Sequence, residues 1–144
     1  MLALNQILRA AGVSRLGFVS PYTSDVQDRI VANYRAAGID CAERHLGISV
    51  NHEFASVGEP VLDRLVGEVA EARPDAITTL CTNLRAAPLV ERWERVTGIP
   101  VYDSIAAVVW KSLTLAGINP TRIKGWGRLF YMPIDRRSRD DNAE

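Results

Sequence analysis

Apolar residues recur along the chain at two spacings, and the two spacings alternate from one segment to the next. Apolar positions three or four residues apart, typical of one face of a helix, cover residues 5–11, 26–37, 59–72, 89–96 and 105–116. Short apolar or alternating runs, typical of strands, cover residues 15–20, 39–46, 76–80, 99–103 and 125–132. Strands that alternate with helices through short turns predict right-handed βαβ crossovers. We therefore expect an α/β three-layer sandwich, with a mainly parallel sheet and helices on both faces.

Glycine and short polar residues mark the ends of these elements. A glycine follows four of the predicted helices, where its free backbone suits a C-cap, at Gly12, Gly38, Gly98 and Gly117. The last helix is preceded by Asp103 and Ser104, and either side chain can serve as its N-cap. Residues 47–58 have no clear period and are predicted to form a loop with at most one turn of helix.

Length, composition and charge describe one ordinary globular domain. The chain has 144 residues, of which 47% are hydrophobic and 24% charged, enough to build a single core. No linker or repeat divides it, so we expect one domain over residues 1–133 and a disordered polar tail over residues 134–144. The 17 basic and 17 acidic residues balance, which argues against a nucleic-acid partner or an anionic membrane surface.

Two further features bear on location. No apolar run approaches the roughly 20 residues of a membrane helix, and the first residues lack the pattern of a signal peptide. The chain has 2 cysteines, too few for a disulfide framework. We therefore expect a reduced, cytoplasmic protein with no membrane partner.

Residues 75–84 combine an apolar, β-branched run with polar groups at its end, namely Cys81, Thr82 and Asn83. Ligands of parallel α/β sheets bind outside the carboxyl ends of the strands, so Cys81 is the leading candidate for chemistry. A thiolate is a strong nucleophile, a thiol can donate a proton, and a helix N-terminus after the strand favours the ionised form. A buried structural cysteine is the alternative, and it is the interpretation that we adopt for Cys41.

A second strand end carries similar groups. Residues 20–24 (SPYTS) form a turn between a strand and a helix, where backbone N–H groups and hydroxyls favour a carboxylate or phosphate. The loop with Asn51 and His52 follows a third strand and could close over both turns. His52 could act as a general base, although a lone loop histidine is more often solvated, and His45 is a weaker candidate. Neither a metal-ligand spacing nor a glycine-rich nucleotide motif occurs, so we expect no metal and no cofactor.

Four strings occur in an order and spacing that resemble one known family. They are residues 19–23 (VSPYT), 75–84 (DAITTLCTNL), 93–101 (WERVTGIPV) and 127–129 (GRL). Together they resemble the maleate cis–trans isomerase and arylmalonate decarboxylase branch of the aspartate/glutamate racemase superfamily. The resemblance covers residues 4–130, nearly the whole sequence.

The resemblance implies a fold, a chemistry and a set of site residues. Members of this branch have two similar Rossmann-like α/β halves with the active site between them, need no cofactor, and act on small carboxylates or dicarboxylates. Each half supplies a strand-end position, which is cysteine in racemases and isomerases. Cys81 is the implied catalytic thiol of the second half. The implied substrate-binding residues are Pro21, Tyr22, Thr23, Asn51, Thr82 and Asn83.

The sequence resembles only the second half of that fold, so one wall of the site is absent from it. We expect apolar surface on the helix at residues 105–116, and a homo-oligomer or a complementary N-terminal half that completes the site. Thr82 after Cys81 looks nearer to the isomerases, since the decarboxylases tend to carry glycine there, so maleate-type isomerisation is the first expectation. A decarboxylase- or racemase-like enzyme, a non-catalytic carboxylate-binding module and a fragment unable to fold alone are the alternatives.

Overall fold

A parallel three-stranded sheet lies at the centre of the computed structural model, which describes residues 2–132. The strands are β1 (Arg15–Ser20), β2 (Asp40–His45) and β3 (Ala76–Thr79), in the order β2-β1-β3. A single parallel bridge between Ile77 and Val101 adds a fourth chain segment beside β3. The predicted parallel sheet is confirmed, although the strand predicted at residues 99–103 is reduced to this bridge.

Within the described range, five α-helices surround the sheet, and their ends lie within three residues of the predicted ones. They are α1 (Leu2–Ala10), α2 (Ser24–Ala36), α3 (Glu59–Ala70), α4 (Val90–Thr97) and α5 (Ser104–Leu115). The predicted loop at residues 47–58 contains a 3₁₀ turn, Asn51–Ser56. Among residues 2–132, no helix combines the length and the apolar character needed to cross a membrane. The predicted tail, residues 134–144, lies outside the described residues.

Hydrophobic side chains form a core cluster on each face of the sheet. In β1, Leu16 and Phe18 pack with α1, α2 and α5, whereas Val19 packs with α3 and α4, as strand alternation requires. Gly17 lies on the α3 face, and a Cβ at this position would come within 2.9 Å of Ile77. The missing side chain therefore lets α3 pack closely on the strand. Helices on both faces confirm the three-layer α/β sandwich.

The prediction of a final strand at residues 125–132 is wrong. Gly127 has a φ of 88°, in the left-handed region, which an extended strand does not allow. The chain instead forms a 3₁₀ turn at Arg128–Tyr131, and Leu129 and Phe130 join the core cluster that contains α5. The apolar residues of this segment are therefore buried as part of the core, without strand pairing.

A buried carboxylate holds this last segment in place. Glu94 of α4 is 6% exposed, and its Oε2 accepts a hydrogen bond from the N–H of Arg128 over 2.8 Å. Its Oε1 accepts from the N–H of Val101 over 3.0 Å. One side chain therefore connects α4 to both the fourth sheet segment and the final turn, and these two bonds compensate for the burial of its charge.

Candidate active site

Cys81 lies just beyond the carboxyl end of β3, as its sequence position predicted. The residue is 6% exposed, and the backbone N–H of Asn83 donates a hydrogen bond to its Sγ over 3.4 Å. The N–H of Leu84 donates to the carbonyl oxygen of Cys81 over 3.2 Å, so the chain turns tightly around the thiol. The thiol is therefore fixed in place by the backbone of the turn that follows it.

The helix predicted after Cys81 at residues 89–96 is present as α4, and the effect expected of its N-terminus on the thiol stays a prediction. A 3₁₀ turn, Ala87–Leu89, comes first, and α4 begins only at Val90. Pro88 is the cause, because proline is tolerated only in the first turn of a helix and α4 cannot run back through it to the thiol. The first turn of α5 borders the thiol instead.

A cavity of about 200 Å³ opens beside the thiol. Its lining residues are Ala3, Leu4, Tyr22, Leu80, Cys81, Thr82, Ser104, Ala107 and Val108. The polar groups of the lining come from the strand ends and from Ser104 of α5, whereas α1 and the rest of α5 supply apolar side chains. This volume is below the roughly 300–1,000 Å³ of pockets for drug-sized ligands, so the cavity suits a small molecule.

The phenol of Tyr22 belongs to a residue that lines the same cavity as the thiol. Burial raises the pKa of Tyr22 to about 12, and the neighbouring Cys81 adds to the shift through its charge and as a hydrogen-bond partner. The ring packs edge-on against Phe54, with centroids 5.8 Å apart and an interplanar angle of 78°. Because its pKa is so high, the phenol keeps its proton at ordinary pH and can donate a hydrogen bond to an anion.

The amides of Asn51 and Asn83 meet above the turn after Cys81. The Nδ2 of Asn83 donates to the Oδ1 of Asn51 over 2.9 Å, and both residues are exposed. This contact joins the 3₁₀ turn of residues 51–56 to the strand-end turn, as the sequence had suggested for a closing loop. Thr82 lies between the thiol and this amide pair in sequence and lines the cavity.

Pro21 and Thr23, the other two predicted substrate-binding residues, are not among the residues that line the cavity. Pro21 is buried, and its carbonyl oxygen accepts from the N–H of Ile48 over 2.9 Å. The hydroxyl of Thr23 donates to Asp25 over 2.6 Å, which lowers the pKa of that carboxyl. Both residues support the turn that carries Tyr22, and their contact with substrate stays a prediction.

The two histidines lie apart from the cavity lining. His52 is exposed in the 3₁₀ turn, and the Nδ1 of His45 lies 3.2 Å from the Oε2 of Glu43. Among residues 2–132, no group of three or more His, Cys, Asp and Glu side chains is placed to hold a metal ion.

Asp103 fixes the start of α5 against β3. Its Oδ2 accepts from the hydroxyl of Thr79 over 2.7 Å, and its Oδ1 accepts from the N–H groups of Ile105 and Ala106 over 2.9 and 3.0 Å. Burial raises the pKa of this carboxyl, while the hydrogen bonds oppose the shift. Asp103 is therefore the N-cap, and it holds the first turn of α5, with Ser104, beside the thiol.

Gln27 was not predicted from the sequence, and it supports the Tyr22 turn through Ser20. The residue is 0% exposed in α2, and its Oε1 accepts from the hydroxyl of Ser20 over 2.6 Å. A signal existed, because Gln27, Val31 and Tyr34 share one helical face and all three are buried. A polar residue on an otherwise apolar face points to a buried hydrogen-bond partner.

A parallel α/β sheet with a thiol and a phenol in one cavity at its carboxyl edge defines the class of protein. The chain belongs to the arylmalonate decarboxylase family, whose model matches residues 2–130. The resemblance inferred from the four sequence strings is therefore confirmed.

Two curated relatives represent both activities named in that resemblance. Arylmalonate decarboxylase of Bordetella bronchiseptica is 33% identical over 126 residues, which are 85% of this chain and 52% of the relative. Maleate isomerase of Nocardia farcinica is 30% identical over 129 residues, 88% of this chain and 51% of the relative. The chain thus spans about half the length of the curated relatives that it matches.

Solved structures show the same fold. A mutant of Nocardia farcinica maleate cis–trans isomerase with a covalently bound succinylcysteine intermediate is 27% identical, with a TM-score of 0.82 over 89% of this chain and 53% of that one. A liganded double mutant of arylmalonate decarboxylase is 30% identical, with a TM-score of 0.82 over 90% of this chain and 56% of that one. A maleate-bound variant of Pseudomonas putida S16 maleate isomerase is 28% identical, with a TM-score of 0.81 over 89% and 52%.

Proposed function

We propose that this chain forms the thiol side of a cofactor-independent active site for small carboxylates, with Cys81 as the catalytic residue. The observation that carries the proposal is the placement of a strand-end thiol and a protonated phenol, Tyr22, in one small cavity. Relatives that are maleate isomerase and arylmalonate decarboxylase support this chemistry. The first candidate reaction is maleate-type cis–trans isomerisation.

In that reaction a thiol adds across the double bond of the substrate. Sulfur bonds to one alkene carbon, the π bond breaks, and the other carbon takes a proton. Rotation about the resulting single bond and reversal of the addition give the trans isomer and restore the thiol. A succinylcysteine, the species bound in the Nocardia farcinica structure, is what addition of a thiol to maleate yields. Cys81 fills one of two roles here, as the nucleophile or as the acid that supplies the proton.

The groups around Cys81 suit the carboxylates of such a substrate. The phenol of Tyr22 remains protonated and can donate to a carboxylate oxygen. The hydroxyl of Thr82 belongs to a residue that lines the same cavity, and the side-chain amide of Asn83 lies nearby against Asn51. We assign the binding of the substrate carboxylates to these four residues.

A second copy of the chain, or a complementary α/β half, supplies the other wall of the site in this proposal. The curated relatives are about twice as long as the matched region, since it covers 52% and 51% of them. Val108 of α5, at the cavity, is 51% exposed, and Leu115 is 61% exposed, so the expectation of apolar surface on this helix is confirmed. Covering this surface excludes water from the cavity and strengthens its electrostatic interactions.

Decarboxylation or racemisation is the second candidate, because the family model and the 33% identical relative carry the name arylmalonate decarboxylase. In a decarboxylase one carboxylate leaves as carbon dioxide, and the electron pair remains on the adjacent carbon as an enolate. Cys81 then delivers a proton to that carbon. The same thiol and the same carboxylate-binding groups serve both candidates.

Turnover followed by proton NMR separates these candidates. Maleate and phenylmalonate are offered in turn to the wild type, to Cys81→Ala and to the control Cys41→Ala, while light scattering gives the mass of each sample. We expect conversion of maleate to fumarate by a species larger than one chain. Loss of the thiol should lower the rate by at least about a thousandfold. Cys41→Ala should stay within about threefold of the wild type, since Cys41 lies at the other end of the sheet.

The other possible results favour different functions. Conversion of phenylmalonate instead of maleate establishes the second candidate. Turnover that survives in Cys81→Ala contradicts both reactions as written. If the protein binds carboxylates but converts neither compound, it is a non-catalytic binding module.

A further inference from the structure

A chain of three hydrogen bonds, one buried and two partly buried, leads from strand β2 to the backbone of Tyr22. Gln27 lies at its centre, where its Oε1 accepts from the hydroxyl of Ser20 over 2.6 Å and its Nε2 donates to Glu43 over 2.7 Å. The Oγ of Ser20 accepts in turn from the N–H of Tyr22 over 3.3 Å. Ser20 and Gln27 are both 0% exposed, so water cannot replace these partners.

Glu43 fixes the direction of every hydrogen bond in this chain. A carboxylate only accepts, so Gln27 must turn its NH₂ group towards Glu43 and its carbonyl oxygen towards Ser20. The hydroxyl of Ser20 then gives its single proton to Gln27, which leaves its oxygen lone pairs for the N–H of Tyr22. The Nδ1 of His45 lies 3.2 Å from the same Glu43 oxygen. One carboxylate on β2 therefore sets the polarity of contacts that end at the active-site turn.

The Tyr22 backbone is held from two sides. Its N–H contacts Ser20, and its carbonyl oxygen accepts from the N–H of Gly47 over 3.0 Å. Gln27 bonds to Ser20, which accepts the first of these hydrogen bonds, and takes no part in the second. Loss of the Gln27 bonds should therefore free one side of the turn and let the phenol shift relative to Cys81, without unfolding the loop at residue 47.

We propose that Gln27, oriented by Glu43, is a positioning residue that holds the phenol of Tyr22 beside Cys81 and the carboxylate bound there. The residue acts through Ser20 and the Tyr22 backbone and does not line the cavity. The link to substrate rests on the proposed function, whereas the link to the Tyr22 backbone does not. Each link therefore needs its own measurement.

The experiment compares three variants by amide exchange and by calorimetry. Gln27→Met keeps the length of the side chain but cannot make either hydrogen bond. Glu43→Gln is the conservative variant, because its amide oxygen can still accept from Gln27. Tyr34→Phe is the matched control, since it removes a polar group from the same buried face of α2 without touching the chain of bonds. The readouts are the exchange rate of the Tyr22 amide proton and the Kd for succinate, a saturated dicarboxylate that a thiol cannot attack.

We expect Gln27→Met to speed exchange of the Tyr22 amide and to weaken succinate binding, each by about tenfold, as loss of a hydrogen bond predicts. Glu43→Gln should stay within about threefold of the wild type in both readouts. Tyr34→Phe should lower the melting temperature and leave both readouts unchanged. If Gln27→Met affects only the melting temperature, as the control does, the residue is merely structural and the proposal is wrong. If the Tyr22 amide responds but the wild type binds no succinate, the proposed function fails and the role in substrate positioning fails with it, while the backbone contact stands.

Discussion

Each end of the sheet carries a buried cysteine beside a tyrosine, and the two pairs differ in what surrounds the thiol. Cys41 in β2 is 8% exposed and lies near Tyr34, while Cys81 beyond β3 is 6% exposed and lies near Tyr22. Burial raises the pKa of both tyrosines to about 12. Neither exposure nor an aromatic neighbour therefore distinguishes the two free thiols.

The surroundings of Cys41 disfavour a thiolate. Its Sγ donates towards the carbonyl oxygen of Ile39 over 3.9 Å. Burial raises the pKa of Cys41 to about 11, and the charges of Asp40 and Glu43 add to the rise while Arg35 opposes it. A larger cavity, about 310 Å³, opens at this end of the sheet between α1 and α2, but Cys41 is not among its lining residues. This thiol therefore keeps its proton at neutral pH and does not line the neighbouring cavity.

The surroundings of Cys81 differ from those of Cys41 in two respects. The N–H of Asn83 points at its Sγ, and the cavity gives a small molecule access to it. These two differences, and not the degree of burial, are the reason that we propose Cys81 as the catalytic thiol and interpret Cys41 as structural.

Removal of each phenol is the strongest test of the comparison. Tyr22→Phe keeps the ring that packs on Phe54 and removes only the hydroxyl, so turnover should fall by about a hundredfold if that group stabilises substrate charge. Tyr34→Phe removes the equivalent group at the other end and should change turnover by less than about threefold. Steady-state kcat/KM for both variants checks this, and equal losses in the two would show that the phenols act on stability alone.

A smaller effect is expected on stability at alkaline pH. The pKa of the Cys41 thiol is raised from 9.0 to about 11 in the folded protein, so the folded state binds the proton more tightly than the unfolded state. The resulting stabilisation is complete below pH 9 and is lost as the pH rises towards 11. Melting temperatures measured from pH 8 to 11 should fall less steeply for Cys41→Ala than for the wild type. Identical slopes for the two proteins would show that Cys41 is not protected as described.

The sequence predicts those parts of the molecule that depend on local pattern. β1 has its predicted bounds, and the rule that parallel strands present ligands at their carboxyl ends places Cys81 correctly. Asn51 and Asn83 were proposed through the family resemblance, and the structure brings their side chains into contact. The resemblance implied a binding role for each residue, whereas their contact with one another was not predicted.

The errors arise where contacts between distant residues override local pattern. Residues 125–132 read as a strand, but the bond from Arg128 to the buried Glu94, 34 residues away, and the glycine backbone make them a core-filling turn. Gln27 pairs with Glu43 across 16 residues, and its place on an apolar helical face indicates a buried partner without identifying that partner. The spacing of hydrophobic residues thus predicts which face of an element is buried, whereas the partners of buried polar groups are identified only from the structure.

The reactivity of Cys81 is tested most directly by the rate at which iodoacetamide labels each cysteine. Peptide mass spectrometry measures both rates at pH 7.5, with and without succinate. Both thiols are read in one sample, so Cys41 serves as the internal control for Cys81. We expect Cys81 to be labelled at least about tenfold faster than Cys41. We further expect succinate, but not its neutral diamide, to slow the labelling of Cys81 alone. Equal rates for the two cysteines, or a Cys81 rate that succinate leaves unchanged, would contradict the claim that this sheet presents one reactive thiol at a carboxylate site.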